Sequence, residues 1–192
     1  MKSIDYYFSP TSPWTYLGHA RIAEIAARHG ATIHAKPVDY GVIFPVSGGL
    51  PLPKRAPQRQ AYRLVELARW REHLGVPLNA QPKFFPVDGT GAAYLICGIE
   101  EASRMVVAGD LLAGVWAREE NVADPATLAA IAARNGIADA AQALEAGKAI
   151  YEANTQEALA RGVFGAPSYV FRDEVYWGQD RLEFLERALA RA

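Results

Sequence analysis

A single cysteine, Cys97, is the whole thiol content of this 192-residue chain. With one sulfur, neither an intrachain disulfide nor a cysteine-rich metal site can form. Cys97 lies in the apolar run Tyr94–Ile99, where a small buried hydrophobe is its simplest role. A chain without disulfides fits a reducing, cytoplasmic compartment. His19, His29, His34 and His73 show no metal-ligand spacing, so no metal is expected. Charge of one sign is lacking too: 20 basic and 21 acidic residues leave a formal net charge of −1. Without a basic run, nucleic acid and anionic membranes are poor partners. Apolar stretches such as Ala92–Ile99 fall far short of the ~20 residues that span a bilayer. Met1-Lys2-Ser3-Ile4-Asp5 puts an acid where a signal peptide needs an apolar core, so export is not expected. There is no internal repeat and no low-complexity segment.

What is present is ordinary globular composition, 51% hydrophobic and 21% charged, enough for one domain or one domain with a large insertion. Ser3–Ser9 reads as a strand. A helix is predicted over Pro13–His29, with Ser12 as N-cap, Pro13 at the first helical position and Gly30 as the stop. Ala31–Val38 reads as a second strand, giving a β–α–β opening with a parallel crossover. Tyr40–Gln58, punctuated by Gly48-Gly49, Pro51, Pro53 and Pro57, reads as an ordered loop. Helical patterns follow over Arg59–Leu74, Gly91–Ala108, Leu111–Glu119, Pro125–Arg134 (capped by Asp124), Ala138–Ala146 and Gly147–Arg161. Ser168–Phe171 and Glu174–Trp177, linked by Arg172-Asp173, read as an antiparallel hairpin. Asp180 is placed to cap a last helix, Arg181–Ala190. The 192 residues thus read as one unit of class α/β, with a sheet part at about 1–40 plus 162–192 and a helical insertion at about 59–161.

Two places can carry chemistry. Ser12-Pro13-Trp14-Thr15 opens a helix, where free N–H groups and the positive dipole end favour an anion. By these residues alone the simpler role of Ser12 is that of a plain helix cap. Gly165-Ala166-Pro167-Ser168 is a turn entering a strand, and a cis Ala166–Pro167 bond there would leave the Ala166 backbone open to an extended peptide.

Taken together, these two segments at the ends of a β–α–β…β–β–α order resemble the DsbA-like branch of the thioredoxin superfamily. Within it they resemble the 2-hydroxychromene-2-carboxylate isomerases and kappa-class glutathione transferases. Ser12-Pro13-Trp14-Thr15-Tyr16-Leu17-Gly18 looks like their Ser-Pro-aromatic pattern, in the slot where redox members carry Cys-Pro-x-Cys. Asn154-Thr155, Gly162–Pro167 and Trp177-Gly178-Gln179-Asp180-Arg181 extend the similarity, as do Gly41–Leu52 and Tyr62–Leu78.

The resemblance implies a thioredoxin-like fold with a large helical insertion, glutathione as cofactor and a homodimer. It also implies that Ser12 hydrogen-bonds the glutathione thiolate and that Ala166, before Pro167, pairs with the tripeptide backbone. Gln179 and Asp180 would hold its γ-glutamyl end. Kappa members often carry asparagine where this chain has Gly49. A hydrogen bond to a charged group contributes ~1.5–3 kcal/mol and a helix N-terminus ~0.3–1. Together they lower a thiol pKa of about 8.5 by roughly 1.5–3 units, which ionises it near neutrality without a general base.

The activity so implied is a glutathione-dependent isomerisation of a hydroxychromene carboxylate or a similar aromatic catabolite. A kappa-like transferase or peroxidase and a non-catalytic glutathione-binding protein are the alternatives. Thiol–disulfide exchange needs an attacking thiolate, which Ser12, Thr15 and the remote Cys97 do not supply. Lys54, Arg55, Arg59 and Lys83 flank the long loop and are the cations available to a substrate carboxylate.

Overall fold

The computed structural model describes residues 2–192. Its sheet has the order β2-β1-β3-β4. β1 (Lys2–Phe8) pairs in parallel with β2 (Ala31–Pro37), in a register that sets Lys2 opposite Ala31. It pairs antiparallel with β3 (Ser168–Phe171), with Tyr7 opposite Ser168, and β3 continues antiparallel into β4 (Glu174–Trp177). Arg172 and Asp173 both have positive φ, 50° and 64°, the backbone that a two-residue hairpin turn requires.

Side chains alternate across a strand, and β1 uses both faces. Ile4, Tyr6 and Phe8 are buried with Leu17 and Ile22 of α1 (Pro13–His29), Leu111 of α5 (Glu101–Trp116) and Leu185 of α8 (Leu182–Ala190). Tyr7 is buried on the other face, with Ile43 of α2 (Tyr40–Ser47) and Ala158 of α7 (Ala140–Ala160). The remaining helices are α3 (Pro57–Leu74), α4 (Thr90–Gly98) and α6 (Pro125–Arg134), the last capped by Asp124 accepting from Ala126 and Thr127. No helix among the described residues is long and apolar enough to cross a membrane.

Four expected boundaries are corrected, the first being the break expected at Gly109-Asp110, through which α5 runs unbroken over Glu101–Trp116. Tyr40–Gln58 is not all loop: Asp39 caps α2 by accepting from the Gly41 N–H at 2.7 Å, and a 3-10 turn covers Leu52–Lys54. The expected Gly91–Ala108 helix breaks at Ile99-Glu100, because Arg104 takes the carbonyls of Cys97 and Ile99 at 2.8 and 3.2 Å. The expected division at Gly147 is absent, and α7 runs through it. Gly147 is there because α4 and α7 touch backbone to backbone: a Cβ on Gly147 would lie 1.9 Å from the Tyr94 carbonyl oxygen, and one on Gly98 would lie 1.8 Å from that of Ala143. Two residues without side chains permit this approach.

Candidate active site

Ser12 is half-buried and starts α1 as expected, with extended φ and ψ of −79° and 127°. Its Oγ accepts from the Thr15 N–H at 3.3 Å. That bond uses an oxygen lone pair, so the hydroxyl proton stays available to a ligand. Pro13 at the first helical position carries no N–H, and the Trp14 N–H lies in the turn that lacks intrahelical acceptors. The helix therefore ends on a hydroxyl donor, a free amide and the positive end of its dipole. Such an end suits a sulfur anion.

Across the cleft, Ala166–Pro167 is cis, as is Phe85–Pro86. The neighbouring groups around Ala166 are satisfied internally. The Gly165 carbonyl accepts from the Tyr40 hydroxyl at 2.9 Å and the Ser168 hydroxyl at 2.6 Å, and the Pro167 carbonyl accepts from the Gly178 N–H at 2.8 Å. Ala166 itself, half-buried, makes no such bond through its N–H or C=O. An edge with one free donor and one free acceptor is what an extended peptide needs.

Gln179 and Asp180 lie at the other end of the cleft. Gln179 is 2% exposed, and its side-chain and backbone oxygens accept from Arg21 Nη1 at 2.7 and 3.0 Å. Its amide is thereby oriented with the NH2 group outstanding, a donor for a carboxylate rather than an acceptor for an amine. Asp180 is exposed and accepts from Arg181 Nη1 at 3.1 Å. It does not cap the last helix: Gln179–Arg181 form a 3-10 turn, and α8 starts at Leu182 with no side-chain cap.

The cleft has two adjoining lobes. One, of 630 Å³, is lined by Gln179 and Asp180; the other, of 550 Å³, by Ser12, Phe44 and Phe85. They share walls made by Trp14, Arg55, Arg59, Arg63, Ala166 and Trp177. The Arg55 Nε donates to the Leu50 carbonyl at 2.8 Å, which ties the segment before the 3-10 turn against the Ser12 lobe. Gly49 sits so tightly on the Phe44 ring, 2.2 Å from a would-be Cβ, that no side chain fits there without moving Phe44.

Of the four expected cations, Arg55 and Arg59 reach the cleft and Lys54 and Lys83 line neither lobe. Lys83 instead lies over the Phe84 ring, 5.0 Å from its centre. Arg63 was not anticipated. Its signal in the sequence was partial: Arg59 and Arg63 stand one turn apart on α3, while Arg55 precedes the helix.

Two other groups are structural. His19 follows Ser12 closely in sequence but turns into the core, where its ring meets the Tyr6 hydroxyl at 3.3 Å and the Met105 carbonyl at 2.8 Å. Burial lowers its pKa and favours the neutral ring. Cys97 is fully buried and lines neither lobe, with its thiol pushed up to about 12 by burial. It is no nucleophile.

The chain is 31% identical to a 2-hydroxychromene-2-carboxylate isomerase of Sphingobium xenophagum, over 98% of each sequence. It is 24% identical to glutathione S-transferase kappa 1 of Homo sapiens, over 98% of this chain and 91% of that one. The solved structure of a 2-hydroxychromene-2-carboxylate isomerase superposes with a TM-score of 0.82 at 26% identity, covering 98% of this chain and 95% of the other. The model of the DSBA-like thioredoxin domain matches residues 3–190. With the sheet order, the serine-capped first helix and these likenesses in agreement, the chain belongs to the DsbA-like thioredoxin family, in the branch that holds the 2-hydroxychromene-2-carboxylate isomerases and kappa-class glutathione transferases.

Proposed function

We propose that this protein is a glutathione-dependent isomerase of a hydroxychromene carboxylate or a similar aromatic catabolite. The observation that carries the reading is Ser12, a serine hydroxyl with its proton unassigned at a helix N-terminus, in one cleft with the unpaired Ala166 backbone. These residues fit a tripeptide thiol. The free N–H and C=O of Ala166 match the cysteinyl backbone, the Gln179 amide donates to the γ-glutamyl carboxylate, and Asp180 faces its ammonium.

Glutathione, when bound, would supply a thiolate that adds to the conjugated carbon–carbon double bond once the chromene ring has opened at its hemiketal C–O bond, the hemiketal proton passing to the phenolic oxygen, so that the remaining single bond could rotate before elimination restores both the double bond and the thiolate. The protein's part is electrostatic and positional. Ser12 and the helix end hold the sulfur ionised. Trp14, Phe44, Phe85 and Trp177 line the Ser12 lobe with flat apolar surface suited to an aromatic ring. Ionising the thiol in this way needs no general base. A cytoplasmic setting accords with one buried thiol, and a homodimer is the assembly we infer, to be read by light scattering.

The test is conversion of a hydroxychromene carboxylate, followed by ultraviolet absorbance with and without glutathione. Conversion is expected only with glutathione, which mass spectrometry should recover unchanged after many turnovers. Stoichiometric loss of free glutathione would instead support the kappa-like transferase or peroxidase. Binding without turnover would favour a non-catalytic glutathione-binding protein.

Asp180→Ala provides a second expectation. The γ-glutamyl ammonium loses a charge-assisted partner, and glutathione affinity should fall about tenfold to a hundredfold. Since Asp180 caps no helix, thermal stability should be spared. Calorimetric titration beside a melting curve checks both, and unchanged affinity would remove Asp180 from the site.

A further inference from the structure

One buried charged side chain in the cleft has no hydrogen-bond or ion-pair partner among the described residues. Arg63 is 8% exposed, and its Nη2 is buried without any hydrogen-bond acceptor. The carboxylate one turn along α3, Glu66, is engaged by Arg69 at 2.8 Å. The nearby Arg55, just before α3, adds repulsion. What surrounds the guanidinium is aromatic, with the Phe85 ring 5.0 Å and the Trp116 ring 5.6 Å from its central carbon. Trp116 is fully buried, and its Nε1–H also lacks an acceptor.

Burial and the neighbouring Arg55 lower the Arg63 pKa to about 10, which leaves it charged at neutrality. A buried charge without a counter-ion is strongly unfavourable, and a cation–π contact offsets only ~0.5–2 kcal/mol of that. Packing gives no account of an arginine here, because an apolar side chain of the same length would fill the space without the charge. A ligand carboxylate does account for it: the guanidinium fork matches a carboxylate in two parallel hydrogen bonds. Arg63 lines both lobes, but the Phe85 ring under its guanidinium lines the Ser12 lobe alone, which turns that end of the side chain toward Ser12.

We propose that Arg63 is the carboxylate anchor of the Ser12 lobe and selects conjugated aromatic acids over their neutral counterparts. The inference rests on the reading of that lobe as the place where the thiolate meets its substrate. Binding without turnover tests it separately from that reading. With S-methylglutathione saturating the site, which blocks reaction, calorimetry compares trans-benzylidenepyruvate with its methyl ester.

Wild type should bind the acid at least tenfold more tightly than the ester. Arg63→Met, which keeps the length and the packing on Phe85 and Trp116, should weaken the acid about tenfold to a hundredfold, as for one charge-assisted contact. It should leave the ester and glutathione itself unchanged. Arg63→Lys should recover part of the preference for the acid. The melting temperature of Arg63→Met should hold or rise, since an unpaired charge is removed.

Several results would overturn the proposal. Equal affinity of wild type for acid and ester defeats the anchor, as does no binding of either. A loss of glutathione affinity with the acid unaffected would assign Arg63 to the glycine carboxylate instead. Equal loss for acid and ester, or a lowered melting temperature, would make it a packing residue. If hydroxychromene carboxylate is not isomerised but the acid preference still depends on Arg63, the reaction assignment falls and the anchor stands. Unaltered isomerisation by Arg63→Met has the opposite meaning.

Discussion

Ser12→Ala is expected to raise the pKa of bound glutathione's thiol by about 1–2 units and to slow turnover about tenfold to a hundredfold near neutral pH. Both follow from losing one hydrogen bond to a charged acceptor, ~1.5–3 kcal/mol. The hydroxyl has two duties that must be separated. Its oxygen caps α1 by accepting from the Thr15 N–H at 3.3 Å, a contact whose loss costs about 0.5–2 kcal/mol of stability. Its proton is the part assigned to the thiolate. Ser12→Thr keeps both and should retain most activity, while Ser12→Asp keeps the cap but sets a negative charge against the sulfur and should be the least active. Thiolate absorbance titrated on each variant, beside a melting curve, divides the two effects. Equal thiol pKa values in wild type and Ser12→Ala would falsify the role given to the hydroxyl.

Gly147→Ala is the second large effect, and it falls on stability. In an ordinary helix this change would stabilise by ~0.5–1 kcal/mol. Here the added Cβ would meet the Tyr94 carbonyl oxygen at 1.9 Å and the Tyr94 carbonyl carbon at 2.7 Å. These are backbone atoms of α4, so no side-chain rotation relieves the contact and the two helices must separate. Overpacking of that kind costs about 1–3 kcal/mol or more. A net loss of about 2 kcal/mol would lower the melting temperature by roughly 4–8 °C for a domain of this size.

The effect should reach the site as well. α7 carries Thr155, whose hydroxyl accepts from the Asp39 N–H at 3.0 Å beside the start of α2, and α2 supplies Tyr40 and Phe44 to the Ser12 lobe. Gly98→Ala strikes the same contact from the other helix, so the double variant should cost less than the sum of the two. A melting temperature unchanged or raised in Gly147→Ala would mean that the helices are not held this closely.

Local signals made the sheet and the first helix legible. Pro13 and Gly30 bracket α1, the β-branched and aromatic runs mark the strands, and Arg172-Asp173 marks the hairpin. These depend on residues adjacent in the chain, where backbone preference decides. Asp124 before Pro125 worked in the same way for α6. The helical region was read less well because its breaks have distant causes. Gly147 looks like a helix stop by composition, yet it is a contact point with Tyr94, 53 positions earlier by their numbers. Ile99-Glu100 looks like helix interior until Arg104 takes the carbonyls on the far side of the break.

The division in the site is of the same kind. By itself the sequence determined that a serine, not a cysteine, opens the first helix, and that the only thiol lies elsewhere; both are matters of residue identity and local capping. It also marked Ala166-Pro167 as a peptide-binding candidate, while Gln179-Asp180 entered only through the family resemblance and read locally as a helix start. Only the tertiary structure decided which cations face the cleft. Arg55 and Arg59 reach it, Lys54 and Lys83 do not, and Arg63 is buried against Phe85 and Trp116. An arginine on an amphipathic helix has no local reason to be buried. Its environment is set by Phe85 and Trp116, which come from segments 22 and 53 positions further along by their numbers, and the desolvation that leaves its charge unmatched exists only once those segments have packed around it.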